Sequence, residues 1–443
     1  METREAEQGK RGKATRQVLD QLGRYESPNV TFCDPGGGWP IVWSEARGMQ
    51  VVDVEGRKYV DLTAAFGVAA AGHSNRRVVE AGVKQMRRML HAMGDVHPHA
   101  LKAELVRVLS GRTFERWTDG ALSGRTVFGT SGFEAVEMAL KTAILATGRR
   151  GVIGFDRGYH GLGYGALNMT RRGLFRGPFL SQLGGFGESL PFPVTDEELE
   201  RVGQLLSARL GRGGVGAVLV EPVQGRGGVR VPARGFLRVL RSLCDQHGVL
   251  LVLDEVYTGF GRTGFWFACE QEAVVPDVLC LGKALTGGFP LSACVGRADV
   301  MEAAWPASEG EAMHTSTYLG HPVGCAMALA QIREIERLKL VEKTVLRGKE
   351  LQVLLGSLES EGGKLRFAVR GRGLMVGVQF IHRDGGPTGG TVMQVVKRML
   401  ERGYLLLPEG EDGEVLSLTP PLIISRSQLE SAVQALGEVV AEM

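Results

Sequence analysis

Apolar residues along this chain recur in short unbroken runs, each of strand length and each stopped by polar or glycine-rich residues. Residues 249–253 (VLLVL) show no alternation, which predicts a strand buried on both faces, as in a parallel sheet. Similar runs lie at 151–155, 217–220 and 278–281, and a short strand is predicted at 125–128. Helical patterns separate them, one starting at Phe133 and stopping at Gly148, another over 236–247 stopping at Gly248. Residues 217–253 therefore read as a βαβ unit, and its repetition from about residue 70 to 320 predicts an α/β fold with a doubly wound, mostly parallel sheet. Outside that block, residues 1–25 can form a helix with Val18, Leu19 and Leu22 on one face, and 27–48 look like loop. Alternation over 48–62 around Glu55-Gly56 predicts a hairpin. Farther on, 326–338 predicts an amphipathic helix, 370–380 a strand, and 392–402 and 427–441 two more helices, with strand and loop between them.

Composition narrows the class without naming a chemistry. The 443 residues are 44% hydrophobic and 23% charged, ordinary for a globular protein long enough for two domains. A net charge of +3 is too small for nucleic acid or anionic membrane to be the main partner. No apolar run reaches transmembrane length, and the polar start METREAEQGKRGKATR is not a secretory signal, so a cytoplasmic protein is expected. The six cysteines have neither CxxC nor metal spacing, which suits reduced and mostly buried thiols.

The chemistry lies where the strands stop. Asp254 follows one run and Lys283 follows the next, 29 residues on, enough for a crossover that would bring both to the carboxyl edge of one sheet. Such a pair can be a plain ion pair, or a lysine and a carboxylate set to hold pyridoxal phosphate. The strand at 125–128 meets GTSG (129–132), and Ser131 with Glu134 has capping-box spacing. A helix N-terminus reached through a glycine loop offers free amides to an anion, though most capped helices bind nothing. Tyr159 and His160 follow the run at 151–155, and Glu221 and Gln224 follow the run at 217–220.

The stretches LDEVYTGFGRTG (253–264) and PDVLCLGKALTGGFPLSA (276–293) resemble the class III, fold type I pyridoxal phosphate-dependent aminotransferases, and the likeness extends from about residue 35 to 440. The resemblance implies a large cofactor-binding domain over 71–325 and a smaller α+β domain drawn from 1–70 and 326–443. It implies Lys283 as the Schiff-base amine and Asp254 facing the pyridine nitrogen, with Tyr159 stacked on one ring face and Val256 on the other. Ser131 and the amides of Gly132 and Phe133 would take the phosphate, Gln224 the ring hydroxyl oxygen, and Glu221 a place in the substrate pocket. In HTSTYLGHP (314–322), Thr317 matches a threonine that reaches the phosphate in the neighbouring subunit, implying a homodimer. The implied reaction passes an amino group from an amine or amino acid to a 2-oxo acid.

Four positions depart from the family pattern. Arg76 stands where proline is usual, Phe133 where a small hydroxyl or alanine is frequent, and Arg226 where glutamate often follows EPVQG. In GEVLSLTPPLII (413–424), Ser417 occupies the place of an arginine that clamps the substrate carboxylate, and serine cannot replace a guanidinium fork. Three readings follow. Arg226 or Arg230 supplies the charge, or the carboxylate is held elsewhere, or the substrate lacks one and meets an apolar wall of Phe66, Trp39 or Trp43. The missing arginine also keeps open an aminomutase, a racemase or epimerase, or a lyase on the same fold.

Overall fold

Parallel strands with apolar residues on both faces need cover on both sides, and the computed structural model has this layering. It describes residues 12–34, 37–358, 365–382 and 388–443. A helix at Lys13–Tyr25 leads into β1 (Trp43–Arg47), β2 (Gln50–Asp53) and β3 (Lys58–Asp61), antiparallel neighbours in that order. The hairpin falls where alternation predicts it, and β1 lies inside the stretch expected to be loop. That strand is an exposed edge with a register irregularity between Trp43 and Glu45, so burial imposed no alternation on its sequence.

The central sheet uses β4 (Gly124–Gly129), β5 (Gly151–Phe155), β6 (Gly187–Leu190), β7 (Val215–Val220), β8 (Leu250–Asp254), β9 (Val278–Leu281) and β10 (Ser292–Arg297). Their spatial order is β4-β10-β9-β8-β7-β5-β6, and only β10 runs against the others. Successive residues of one strand feed opposite cores, as period two requires. Val252, Val278 and Cys280 pack on one side with the Gly132–Thr147 helix. Leu251, Leu253, Leu279 and Leu281 pack on the other with Phe236–His247 and Pro322–Arg337. The last of these helices is buried around most of its surface, not along one stripe as its sequence suggested.

The C-terminal part adds β11 (Leu365–Arg372), β12 (Met375–His382), β13 (Tyr404–Leu405), β14 (Leu407–Glu409) and β15 (Val415–Leu418). Strands β11-β12-β15-β14 form one antiparallel sheet, whereas β13 joins β3 and ties the two ends of the chain together. The single strand expected at 370–380 is thus parts of two strands folded over Gly373-Leu374. Buried Arg262 accounts for the fold-back: its guanidinium donates to the Leu374 carbonyl at 3.0 Å, and its own carbonyl accepts from the Leu374 amide at 3.1 Å.

Gly373 has φ +56°, and a Cβ there would lie 2.6 Å from the Thr263 carbonyl carbon and 2.7 Å from the Arg262 oxygen. Gly373→Ala is therefore expected to destabilise the protein by at least about 1 kcal/mol, read as a lower thermal midpoint. An unchanged midpoint would mean that the turn is not tightly held.

Candidate active site

The parallel strands deliver their last residues to one edge, so polar groups far apart in sequence meet there. Asp254 closes β8, Lys283 stands two residues beyond β9, Glu221 directly follows β7, and Tyr159 and His160 follow β5. Strands β8 and β9 are adjacent and parallel, with Asp254 opposite Cys280, as the crossover argument requires. The two acids at 254 and 255 part company. Glu255 is fully buried and accepts from the amides of Ala268 (2.7 Å) and Cys269 (2.9 Å), fixing the crossover, while Asp254 faces the cavity.

Asp254 is 5% exposed, and its Oδ2 lies 2.8 Å from His160 Nδ1. Its Oδ1 accepts from the Val256 amide at 3.1 Å. Burial works against charge on His160, but the hydrogen bond and charge of Asp254, with Glu221 nearby, hold its pKa above the usual value. Burial pushes the carboxyl of Glu221 up to about 7, with the charge of Asp254 adding to the effect. Glu221 accepts from the amides of Tyr159 (2.9 Å) and Gly225 (3.0 Å). Lys283 lies with Nζ 4.2 Å from the Tyr257 ring centre, and burial lowers its pKa against the opposing pull of Asp254, Glu221 and Glu409.

The helix beginning at Gly132 completes the edge. Glu134 reaches back to accept from the amides of Thr130 (2.7 Å) and Ser131 (2.8 Å). The amides of Gly132 and Phe133 keep no acceptor among the described residues and border the cavity. A Cβ on Gly132 would fall 2.8 Å from Val256 Cγ1, so the helix approaches Val256 this closely only through glycine.

Ser131, Gly132, Phe133, Tyr159, Glu221, Asp254, Val256 and Lys283 all border one cavity of about 430 Å³, together with His160, Arg226 and Tyr257. Gln224 lies outside that lining. Its side-chain Nε2 donates to the Asp156 carbonyl at 2.8 Å, and its Oε1 is buried without a hydrogen bond among the described residues. Thr317 is exposed on the surface. Ser417 is buried in β15 between Gly377 and Leu407, away from the cavity lining. The apolar wall considered for a carboxylate-free substrate is not assembled within this chain. Trp39 packs with the cluster around Val51 and Leu405, Trp43 sits edge-on to His73, and Phe66 is exposed. Arg226 borders the cavity, and Arg230 does not.

Two neighbours carried no sequence signal of their own. Tyr257 lies inside a quoted motif, but nothing in its spacing marks its ring as the floor under Lys283. Glu409, buried at the end of β14, lies 3.9 Å from Arg226 and belongs to a strand of only three residues, too short for a period.

Free amides at a helix start, a buried amide oxygen without a partner, a lysine and a histidine-held carboxylate together suit a flat, anionic, nitrogen-containing cofactor. The fold is that of the pyridoxal phosphate-dependent transaminases: it matches an amine transaminase from an uncultivated Pseudomonas species, solved in its pyridoxal phosphate-bound form, with TM-score 0.85, 28% identity and coverage of 95% of this chain and 98% of that one. Residues 34–440 match the family described as aminotransferase class-III. The chain is 34% identical over 421 residues to the 5-aminovalerate aminotransferase DavT of Pseudomonas aeruginosa, covering 91% of this chain and 94% of that protein. It is also 34% identical over 421 residues to the acetylornithine aminotransferase of Methanosarcina mazei, covering 95% of each. The chain belongs to the class III aminotransferases, which depend on pyridoxal phosphate.

The carboxyl of Glu221 gives a pH test. Its pKa is 4.5 in an unfolded chain and about 7 in the folded one, so the folded state binds the proton more tightly. The resulting stability is complete below 4.5 and is lost as pH rises to about 7, on the order of 3 kcal/mol in all. Urea titrations of the cofactor-free protein should show Glu221→Gln flattening that decline. A decline as steep as in the wild type would mean that Glu221 is already ionised when folded.

Proposed function

We propose that the enzyme moves an amino group from an amine or amino acid to a 2-oxo acid, with Lys283 as the cofactor-linked and proton-moving residue. The observation that carries this is a buried lysine, its pKa lowered chiefly by burial, just past the strand that neighbours the one ending in a carboxylate held by histidine. Bound pyridoxal phosphate supplies a conjugated cationic ring that takes up the electron pair left when the substrate carbon loses its proton. The chain's own groups do the rest. Lys283 Nζ, with its depressed pKa, is suited to accept that proton and hand it on at neutral pH. Asp254 would face the ring nitrogen with its carboxyl group, and His160 restrains its orientation. The amides of Gly132 and Phe133, with Ser131 beside them, would hold the phosphate at the helix start. Tyr159 and Val256 would bound the ring's two faces, Gln224 would meet its hydroxyl oxygen, and Glu221 would border the substrate.

A homodimer with Thr317 reaching the partner's phosphate fits the surface chemistry. Val79, Val83, Met86 and Leu90 are exposed at helical spacing along and just past Arg76–Arg88, and Met313 and Tyr318 are exposed on either side of Thr317. An apolar stripe of that kind calls for a covering surface. The donor's carboxylate, where it has one, is recognised without an arginine at position 417.

Purified holoenzyme mixed with amines, ω-amino acids and α-amino acids should lose the visible absorption of its lysine-bound cofactor, and pyruvate or 2-oxoglutarate should restore it. Lys283→Ala should lower transamination by at least about 100-fold. Wild-type turnover in that variant, or absorbance that returns unaided with no oxo acid formed, counts against the proposal, and the second outcome favours a mutase, racemase or lyase.

A further inference from the structure

An arginine bordering a cavity with five N–H donors and no acceptor calls for a ligand. Arg226 is in that position: its side chain makes no hydrogen bond among the described residues, and its Nε is buried without a partner. Among the described residues its one ionic contact is Glu409 Oε2 at 3.9 Å, beyond hydrogen-bond reach, and that oxygen is likewise buried without a hydrogen bond among them. Glu409 is 4% exposed and absent from the cavity lining, so the Arg226 side of the pair is the one a small molecule can meet.

The guanidinium is held as a platform. It lies 5.2 Å from the ring centre of Tyr159 and 5.8 Å from that of Phe175, and Arg172 lies 5.5 Å from the same Phe175 ring. The Arg226 carbonyl accepts from the Gly410 amide at 3.2 Å, which ties its loop to the end of β14 beside Glu409. Arg172 closes the back, donating to the Gly410 carbonyl at 2.8 Å. Burial raises the pKa of Glu409, while Arg226, Arg172 and Lys283 draw it down; three cations thus surround one buried carboxylate. A buried ion pair too long to hydrogen-bond leaves both partners incompletely satisfied, and a carboxylate arriving on the open side can make the bidentate contact that Glu409 does not.

We propose that Arg226 is the specificity-determining group for the substrate carboxylate and that Glu409 is its resident counter-ion, displaced when a carboxylate-bearing donor or a 2-oxo acid binds. This rests on the aminotransferase reading above and names its substrate class: amino donors with a carboxylate remote from the reacting amine. Carboxylate-free amines leave the Arg226–Glu409 pair closed and are the poorer donors.

Calorimetric titration of the holoenzyme with pentanoate, a donor chain without its amine, tests the site without turnover. Arg226→Gln should weaken pentanoate at least about tenfold, and Glu409→Gln, which removes the resident competitor, should tighten it several-fold. In steady state, the ratio of kcat/KM for 5-aminopentanoate to that for pentylamine should fall at least about 30-fold in Arg226→Gln and recover in part in Arg226→Lys. Equal pentanoate affinity in wild type and Arg226→Gln overturns the proposal, as does the absence of pentanoate binding by the wild type or an unchanged ratio. If no donor bleaches wild-type holoenzyme, the aminotransferase reading fails, while the pentanoate comparison still decides the role of Arg226.

Discussion

Asp254 ends a strand whose preceding residues are apolar and buried, where an isolated carboxylate is costly. His160 offsets that cost from the loop after β5, across β7, and the site depends on the pairing. It fixes the direction of Asp254 and sets its carboxyl group at the cavity floor. The charge of Asp254 acts on its neighbours in opposite senses, helping to push the proton onto Glu221 and pulling against the loss of charge on Lys283. Each of these groups sits at or beyond the end of a different parallel strand, so the sheet sets their spacing and the loops need only short reach.

The central sheet was legible because burial on both faces leaves an unmistakable trace, unbroken apolar runs such as those ending at Asp254 and just before Lys283. Elements lacking that constraint were not. Strand β1 is exposed and carries no period, and the β11–β12 turn depends on Arg262, more than a hundred residues earlier in the chain. Groups that directly follow strands, such as Asp254 and Glu221, could be located by pattern. Tyr257 and Glu409 could not, because their position follows from how the C-terminal sheet packs over the strand ends.

Ser417 and Arg226 belong together in this picture. The position at which the family pattern has an arginine lies in β15, inside a sheet and away from the cavity lining, and is filled by a small buried hydroxyl. Positive charge instead lies on the loop after Gln224, opposite a buried glutamate from β14. An arginine stacked on Tyr159 and an acid sealed behind it keep the local charge near balance, while the guanidinium makes no hydrogen bond among the described residues.

The proposed attachment of the cofactor to Lys283 is open to a direct covalent test. Borohydride fixes a lysine-bound pyridoxal phosphate irreversibly, so reduction of the holoenzyme followed by peptide mapping identifies the lysine directly. The phosphopyridoxyl mass is expected on the peptide containing LGKALTGG, at Lys283. The same mass on another lysine, with that peptide unmodified, would contradict it.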